Sequence, residues 1–383
     1  MIYLILLCLL LISYTYFIYP LLIWGLNLRF PKSQSLPKHP DFAPSVTLLI
    51  AAHNEEAVMA EKLKNSLELN YPKDKLQILV AVDACSDRTV EIVQSFVAEH
   101  PHITLYEVID HRGKVNALNE AVPHATGDFI VFSDANSMYH PDAVLKLLPH
   151  FTDPTIGVVC GNLSLTNPQQ KTMGDGEGLY WRYEKWLKGQ ESRFNSLIGA
   201  NGSIYAIRKE LYPSLDVDVC DDFTIPILIH KNGYRVIYEP DAIAYESTDE
   251  TTSQAYHRKI RIILQELITL KRYYHQIKPF SGIFGFQLVS HKIMRWLVPF
   301  WMIGILVANL FILDMWIGRI LLGLQVIFYG AAFTGFMLDR LQKPVGKFKI
   351  PFYFCLMNLA AFIAILRFLR GDTQSKWKVA RSN

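Results

Sequence analysis

Residues 1–28 contain no Asp, Glu, Lys or Arg, and residues 296–369 are again dominated by Leu, Ile, Phe, Val, Ala and Met. Roughly 20 consecutive apolar residues cross the hydrocarbon core of a bilayer as a helix. The polar, charge-balanced stretch between these two runs has ordinary globular composition. The chain therefore reads as an N-terminal transmembrane helix (1–28), a soluble domain (29–279) and about three C-terminal transmembrane helices (296–369). Residues 280–295 mix apolar side chains with His291, Lys292 and Arg295, which suits a helix lying along the membrane interface. A basic tail (370–383) follows.

The N-terminal run has no basic leader and no small-residue cleavage site, so it reads as an anchor rather than a signal peptide. Arg29, Lys32 and Lys38 follow it directly, with no counterpart before it. The positive-inside rule then places the soluble segment in the cytosol of a multi-pass protein of the cell membrane. Three apolar segments are expected at 296–313, 317–338 and 350–367. The loop 339–349 is basic, but so is the tail through Arg370, Lys376, Lys378 and Arg381. Either the last segment spans or it is re-entrant. A net charge of +3 without a basic run argues against a nucleic-acid partner. Five scattered cysteines with no C-x-x-C pair exclude a disulfide framework and a zinc motif.

Within the soluble segment, short apolar runs alternate with amphipathic ones. Strands are expected at 46–52, 76–82, 103–108 and 128–132, with helices opening near Asn54 and spanning 89–98 and 114–122. This β-α-β order predicts an α/β domain with a mostly parallel, Rossmann-like sheet. Asn54 and Glu55 follow the first strand, Asp83 closes the second and Asp134 closes the fourth. Open α/β sheets bind their ligands at such carboxyl ends. No G-x-G-x-x-G follows the first strand and no P-loop motif occurs, which disfavours dinucleotide-binding and P-loop enzymes.

Asp134 and Asn136 lie two apart just past a strand, a spacing that lets both offer oxygen to one hard cation. An Asx turn is the bland alternative. Asp221 and Asp222 are adjacent acids ahead of a helical run; they either cap that helix or form a like-charge pair suited to base catalysis.

Four further runs then add up. Ala51-Ala52-His53-Asn54-Glu55-Glu56 resembles the P-x-Y-N-E turn of inverting family 2 glycosyltransferases of the GT-A fold. Val82-Asp83-Ala84-Cys85-Ser86-Asp87-Arg88-Thr89 resembles their V-D-D-x-S-x-D-x-T stretch. Arg112-Gly113-Lys114 through Asn119 resembles their R-G-K-x-x-A-L-N loop, and Asp134-Ala135-Asn136 their D-x-D-type metal site. Farther on, the run 199–208 resembles G-x-N-G-x-x-Y-x-x-R, and Asp221-Asp222 resembles the acidic pair that ends in the catalytic base.

The resemblance implies an enzyme that moves a sugar from a nucleotide-diphosphate sugar, UDP-linked by expectation, to a glycan or lipid-linked acceptor. It implies donor contacts from Glu55, Asp83, Lys114 and Asp134, and Mn2+ or Mg2+ on Asp134 and Asn136. Asp222 takes the place of the base. Asp221, Asn201, Arg258 and Arg261 fall on the acceptor or diphosphate side.

Cellulose, chitin and hyaluronan synthases carry a Q-x-x-R-W motif in the region of residues 254–262. Here Ile262 follows Arg261, so the tryptophan is missing and polymer-extruding synthesis is not expected. Sugar transfer to a polyprenyl phosphate, or an inactive partner in polysaccharide export, stands as an alternative. The aromatic run with Trp181, Tyr183 and Trp186 suits packing more than sugar stacking. His53, His140 and His230 show no metal-ligand spacing and read as structural.

Overall fold

The computed structural model describes residues 1–30, 42–166, 174–247 and 251–372. Lys32, Lys38 and the tail residues Lys376, Lys378 and Arg381 lie outside them. Strands β1 (Val46–Ala52), β2 (Leu76–Asp83), β3 (Ile103–Val108) and β4 (Phe129–Asp134) form one side of an eight-stranded sheet. Strands β5 (Met138–Tyr139), β6 (Ile156–Thr166), β7 (Tyr205–Arg208) and β8 (Arg235–Ser247) form the other. The order across the sheet is β3-β2-β1-β4-β7-β6-β8-β5.

The first four strands are all parallel, as the alternation of runs implies. Beyond β4 the sheet is mixed, which corrects the expectation of a mostly parallel sheet for this half. β7 runs antiparallel to both β4 and β6, and β5 antiparallel to β8. A four-residue strand such as β7 gives little periodicity to read, and its direction follows from pairing rather than from its own side chains.

Every residue of β1 is buried, so its alternate side chains feed two cores. Leu48 and Ile50 join Met59 and Leu63 of helix α2 (Glu56–Leu67) and Val93 of α3 (Thr89–Glu99). Leu49 and Ala51 join Val115 and Leu118 of α4 (Lys114–Ala121) on the opposite face. Helices on both faces hold the sheet rigid and leave its carboxyl edge free to present side chains.

Among the described residues, four helices are long and apolar enough to cross a membrane: α1 (Ile2–Arg29), α8 (Gly282–Leu310), α9 (Trp316–Arg340) and α10 (Gly346–Leu369). The segment 280–295 runs from Gly282 without a break into the apolar half of α8, through a π-turn at Val289–Ile293. Between sheet and bundle lie α5 (Gly174–Phe194), α6 (Asp221–Lys231) and α7 (Thr252–Arg272). A capping box between Thr251 and Gln254 starts α7. Its Ile260 and Ile263 pack on Ala360, Ala361 and Ala364 of α10 and on Trp296 of α8. Small residues on α10 let the two backbones approach closely. The first half of α1 packs on α8 through Ile5 and Cys8, and its second half on Leu187 of α5 through Tyr19 and Ile23. Trp181, Tyr183 and Trp186 all lie on α5, whose Tyr183 hydroxyl donates to the Tyr16 carbonyl of α1.

Candidate active site

Asp83 ends β2 with its side chain fully buried. Its carboxylate accepts the backbone N–H of Arg112 at 3.3 Å and of Gly113 at 2.9 Å, and lies 2.8 Å from Nδ1 of His111. Gly113 has φ +96°, which an L side chain adopts only with strain. The glycine and the aspartate together turn the chain so that Lys114 begins α4 at the sheet edge.

Lys114 Nζ lies 2.8 Å from Oδ1 of Asp134, at the end of β4, and 3.1 Å from Oδ2 of Asp221. The Asp134 contact is a hydrogen bond, whereas the Asp221 contact is an ion pair by distance without hydrogen-bond alignment. Burial alone would lower the lysine's pKa, but the charges of Asp134, Asp221 and Asp222 outweigh it and hold it well above its usual value. Burial would likewise raise Asp134, and Lys114, Lys62 and Arg261 pull it below the carboxylate norm. Asp221 goes the other way: burial raises it first, and Asp222 and Asp134 add to that against Lys114. The like-charge effect expected at the acidic pair therefore acts on Asp221.

Asp222 sits in the first turn of α6. Its Oδ2 accepts the backbone N–H of Gly202 at 2.9 Å, and its Oδ1 accepts the Cys220 thiol at 2.9 Å. A Cβ at position 202 would lie 3.1 Å from Oδ2 of Asp222 and 3.5 Å from Nζ of Lys114. A methyl group here would crowd the carboxylate while making ordinary contact with the ammonium.

Glu55, Lys114, Asp134, Asn136, Asn201, Asp221, Asp222, Arg258 and Arg261 all line one continuous cavity of 2450 Å³. Asp83 is not among the described residues lining it; the structure shows it holding the 111–113 turn. Asn201 donates from Nδ2 to the Gly161 carbonyl at 2.8 Å, and Lys188 donates to its Oδ1. Oδ2 of Asp134 and the amide of Asn136 make no hydrogen bond to a described residue. Two oxygens on the cavity wall, one of them anionic, are a donor set suited to a hard divalent cation.

Other groups carry no signal in the linear sequence. Glu246, buried at the end of β8, accepts the hydroxyls of both Ser137 and Ser203. One carboxylate thus ties the loop after β4 to the loop before β7. Burial, then the charge of Asp134, raises its pKa. Lys62, fully buried in α2, donates to the Ser137 carbonyl and lies 4.2 Å from the centre of the Tyr139 ring. Burial pushes it down to about 7. His53, Asp83 and His111 bring ligand atoms within 4.8 Å of one another, a group that could hold a metal ion. The His53 ring also stacks on His111 at 4.2 Å, a packing role that agrees with the structural reading and leaves the group a candidate. Three separate strand ends supply these residues, so no local spacing betrays them.

Residues 47–215 match the model of Glycosyl transferase family 2. A poly-beta-1,6-N-acetyl-D-glucosamine synthase of Staphylococcus aureus is 28% identical over 240 residues, 59% of this chain and 57% of that protein. The probable glycosyltransferase YdaM of Bacillus subtilis is 30% identical over 229 residues, 57% of this chain and 54% of that protein. The chain spans about half the length of the curated relatives it matches. Among solved structures, the mannosyltransferase PcManGT from Pyrobaculum calidifontis, in complex with GDP-Man and Mn2+, superposes with a TM-score of 0.73. It is 24% identical, with 96% of this chain and 99% of that one covered, a likeness of fold.

Proposed function

We propose a function from one premise: this chain carries a family 2 glycosyltransferase domain, as its motifs implied. Its cavity transfers a sugar, with inversion, from a nucleotide-diphosphate sugar to a glycan or lipid-linked acceptor. UDP is the nucleotide we favour, and a hexosyl or N-acetylhexosaminyl group the sugar. The observation that carries this reading is Lys114, held between Asp134 and Asp221 with Asp222 beside it across Gly202.

In this reading Asp222 accepts the proton of an acceptor hydroxyl as that oxygen attacks the anomeric carbon. The bond from that carbon to the diphosphate breaks on the opposite face, and the nucleoside diphosphate leaves. The Gly202 N–H and the Cys220 thiol fix both carboxylate oxygens of Asp222, so the base is aimed before the acceptor arrives. Lys114 supplies positive charge where the leaving diphosphate develops its own. A divalent cation held by Asp134 and Asn136 would supply more of the same charge neutralisation. Glu55 and the turn organised by Asp83 border the nucleotide side, with Arg258, Arg261, Asn201 and Asp221 toward the acceptor or diphosphate.

We place α1, α8, α9 and α10 in the cell membrane and the sheet on its cytosolic side. Arg29 at the end of α1 and the basic loop 339–349 support that orientation. A donor screen on the detergent-solubilised full chain with manganese or magnesium, reading released nucleoside diphosphate, tests the function. Turnover in the wild type and none in Asp222→Asn is expected. Undiminished turnover in that variant, or after chelation of divalent cations, refutes the assignment.

A further inference from the structure

The cavity does not end at the acidic cluster. Its lining continues along α7 and α8 to Tyr16 and Phe17 of α1 and to Phe354 and Met357 of α10. Two of the four helices with membrane-spanning character thus wall the far end of the chamber that holds Asp222.

Between these ends lies a belt of buried carboxylates and half-buried cations whose pairing is incomplete. Lys292 Nζ is 2.6 Å from Oε1 of Glu266, and Arg295 pairs with Glu184. Glu191 is engaged by His291 at 2.9 Å and by the Tyr19 hydroxyl. Lys259, on the same wall, makes no hydrogen bond or ion pair to a described residue. Of the three cations Lys259, Lys292 and Arg295, Lys259 is therefore the one with no carboxylate of its own among the described residues. Burial first, then the neighbouring Lys292, pushes Lys259 down to about 8. A half-buried ammonium without a partner is under-solvated, and a ligand that brings the missing anion relieves that.

Lys259 is held in place from behind. The next residue, Ile260, and Ile263 are locked into the seam of α7 against α10 and Trp296. The backbone that carries the ammonium is therefore a fixed feature of the wall. An anion bound here would have Tyr16, Phe17, Phe354 and Met357 in the same chamber. Such a lining suits a hydrocarbon tail.

We propose that Lys259 anchors the phosphate of a membrane lipid that carries the acceptor, with the lipid's tail between α1 and α10 and its sugar hydroxyl at Asp222. This rests on the glycosyltransferase reading and narrows its acceptor to a phosphate-bearing, lipid-linked glycan. Lys292 and Arg295 complete the anion's surroundings, each already balanced by its own carboxylate.

The test is titration of the full chain in detergent with farnesyl phosphate, farnesol and inorganic phosphate, following binding by calorimetry. The wild type is expected to bind farnesyl phosphate at least tenfold more tightly than either of the other two. Lys259→Gln should lose about tenfold or more of that affinity, and Lys259→Arg should retain it. Equal binding by Lys259→Gln, or by farnesol, overturns the anchor. Inorganic phosphate binding as tightly as farnesyl phosphate overturns the lipid and leaves a free-phosphate site. Nucleoside diphosphate binding with manganese is measured on the same samples. Its retention by Lys259→Gln shows the variant is folded. Its absence from the wild type refutes the glycosyltransferase reading whatever the lipid titrations give.

Discussion

Lys114 Nζ lies 3.1 Å from Oδ2 of Asp221, a carboxylate that burial and two like charges drive upward in pKa. The lysine is what makes three acids tolerable in one place. Lys114→Met should therefore destabilise the chain by about 3 kcal/mol or more, the usual cost of breaking a buried pair from one side. Turnover should fall by roughly 100-fold or more, as for loss of one preorganised electrostatic group. Thermal unfolding and steady-state kinetics measure the two effects. A stable, active methionine variant would show that the acids do not depend on this cation.

Gly202 separates binding from chemistry. Adding a methyl group 3.1 Å from Oδ2 of Asp222 must push the carboxylate aside by a few tenths of an ångström. Gly202→Ala should lower kcat by roughly 10- to 100-fold, since small misplacements of a catalytic group are costly. Nucleotide affinity should change little, because the displaced group is the base. A change confined to KM for the donor would contradict this.

Glu246 joins two loops through two serine hydroxyls. Glu246→Ala leaves both without their acceptor, at about 1–3 kcal/mol for each unsatisfied group. Glu246→Gln keeps an acceptor oxygen and should lie between the alanine variant and wild type in melting temperature and in kcat. Equal behaviour of the two variants would mean that the charge, not the tether, is what counts.

Lys62 gives the fold a pH dependence. Its pKa falls from 10.5 to about 7 on burial, so above that value the folded chain has released a proton the unfolded chain still binds. Stability then rises with pH from about 7 toward 10.5, by up to about 1.4 kcal/mol per unit for one proton. Lys259, pushed to about 8, acts in the same sense from there upward. Lys114 is raised instead, so its contribution is kept across this window and is lost only above the unfolded lysine range. Lys62→Met should therefore flatten the rise in melting temperature between pH 7 and 8. An unchanged slope in that interval would refute the assignment.

The parallel half of the sheet was readable because strands buried on both faces are continuous apolar runs, and β1 is buried at all seven positions. The four apolar helices were equally plain, since length and composition alone mark them. The second half of the sheet was not. β7 has four residues, and β6 pairs parallel on one side and antiparallel on the other, a choice fixed by neighbours distant in sequence. The position of Lys62 shows the same limit in the site. Beside Glu61 and two before Lys64 it looks like part of a solvated helix face, yet its ammonium points into the core to meet Ser137, 75 residues on. Asp83 was legible as a strand-end acid, but not that a backbone turn and His111 would take up its carboxylate.

The seam between α7 and α10 makes one wall of the cavity belong to the apolar bundle. Arg258, Lys259 and Arg261 ride on α7, and α7 is seated on three alanines of a helix suited to hydrocarbon. With α10 in a bilayer, a change in membrane thickness that tilts it would move those cations relative to the acids on the sheet. Lipid composition would then bear on reaction geometry, and a fragment running only from β1 to the end of α7 would keep the acids while losing the support of the wall they work against.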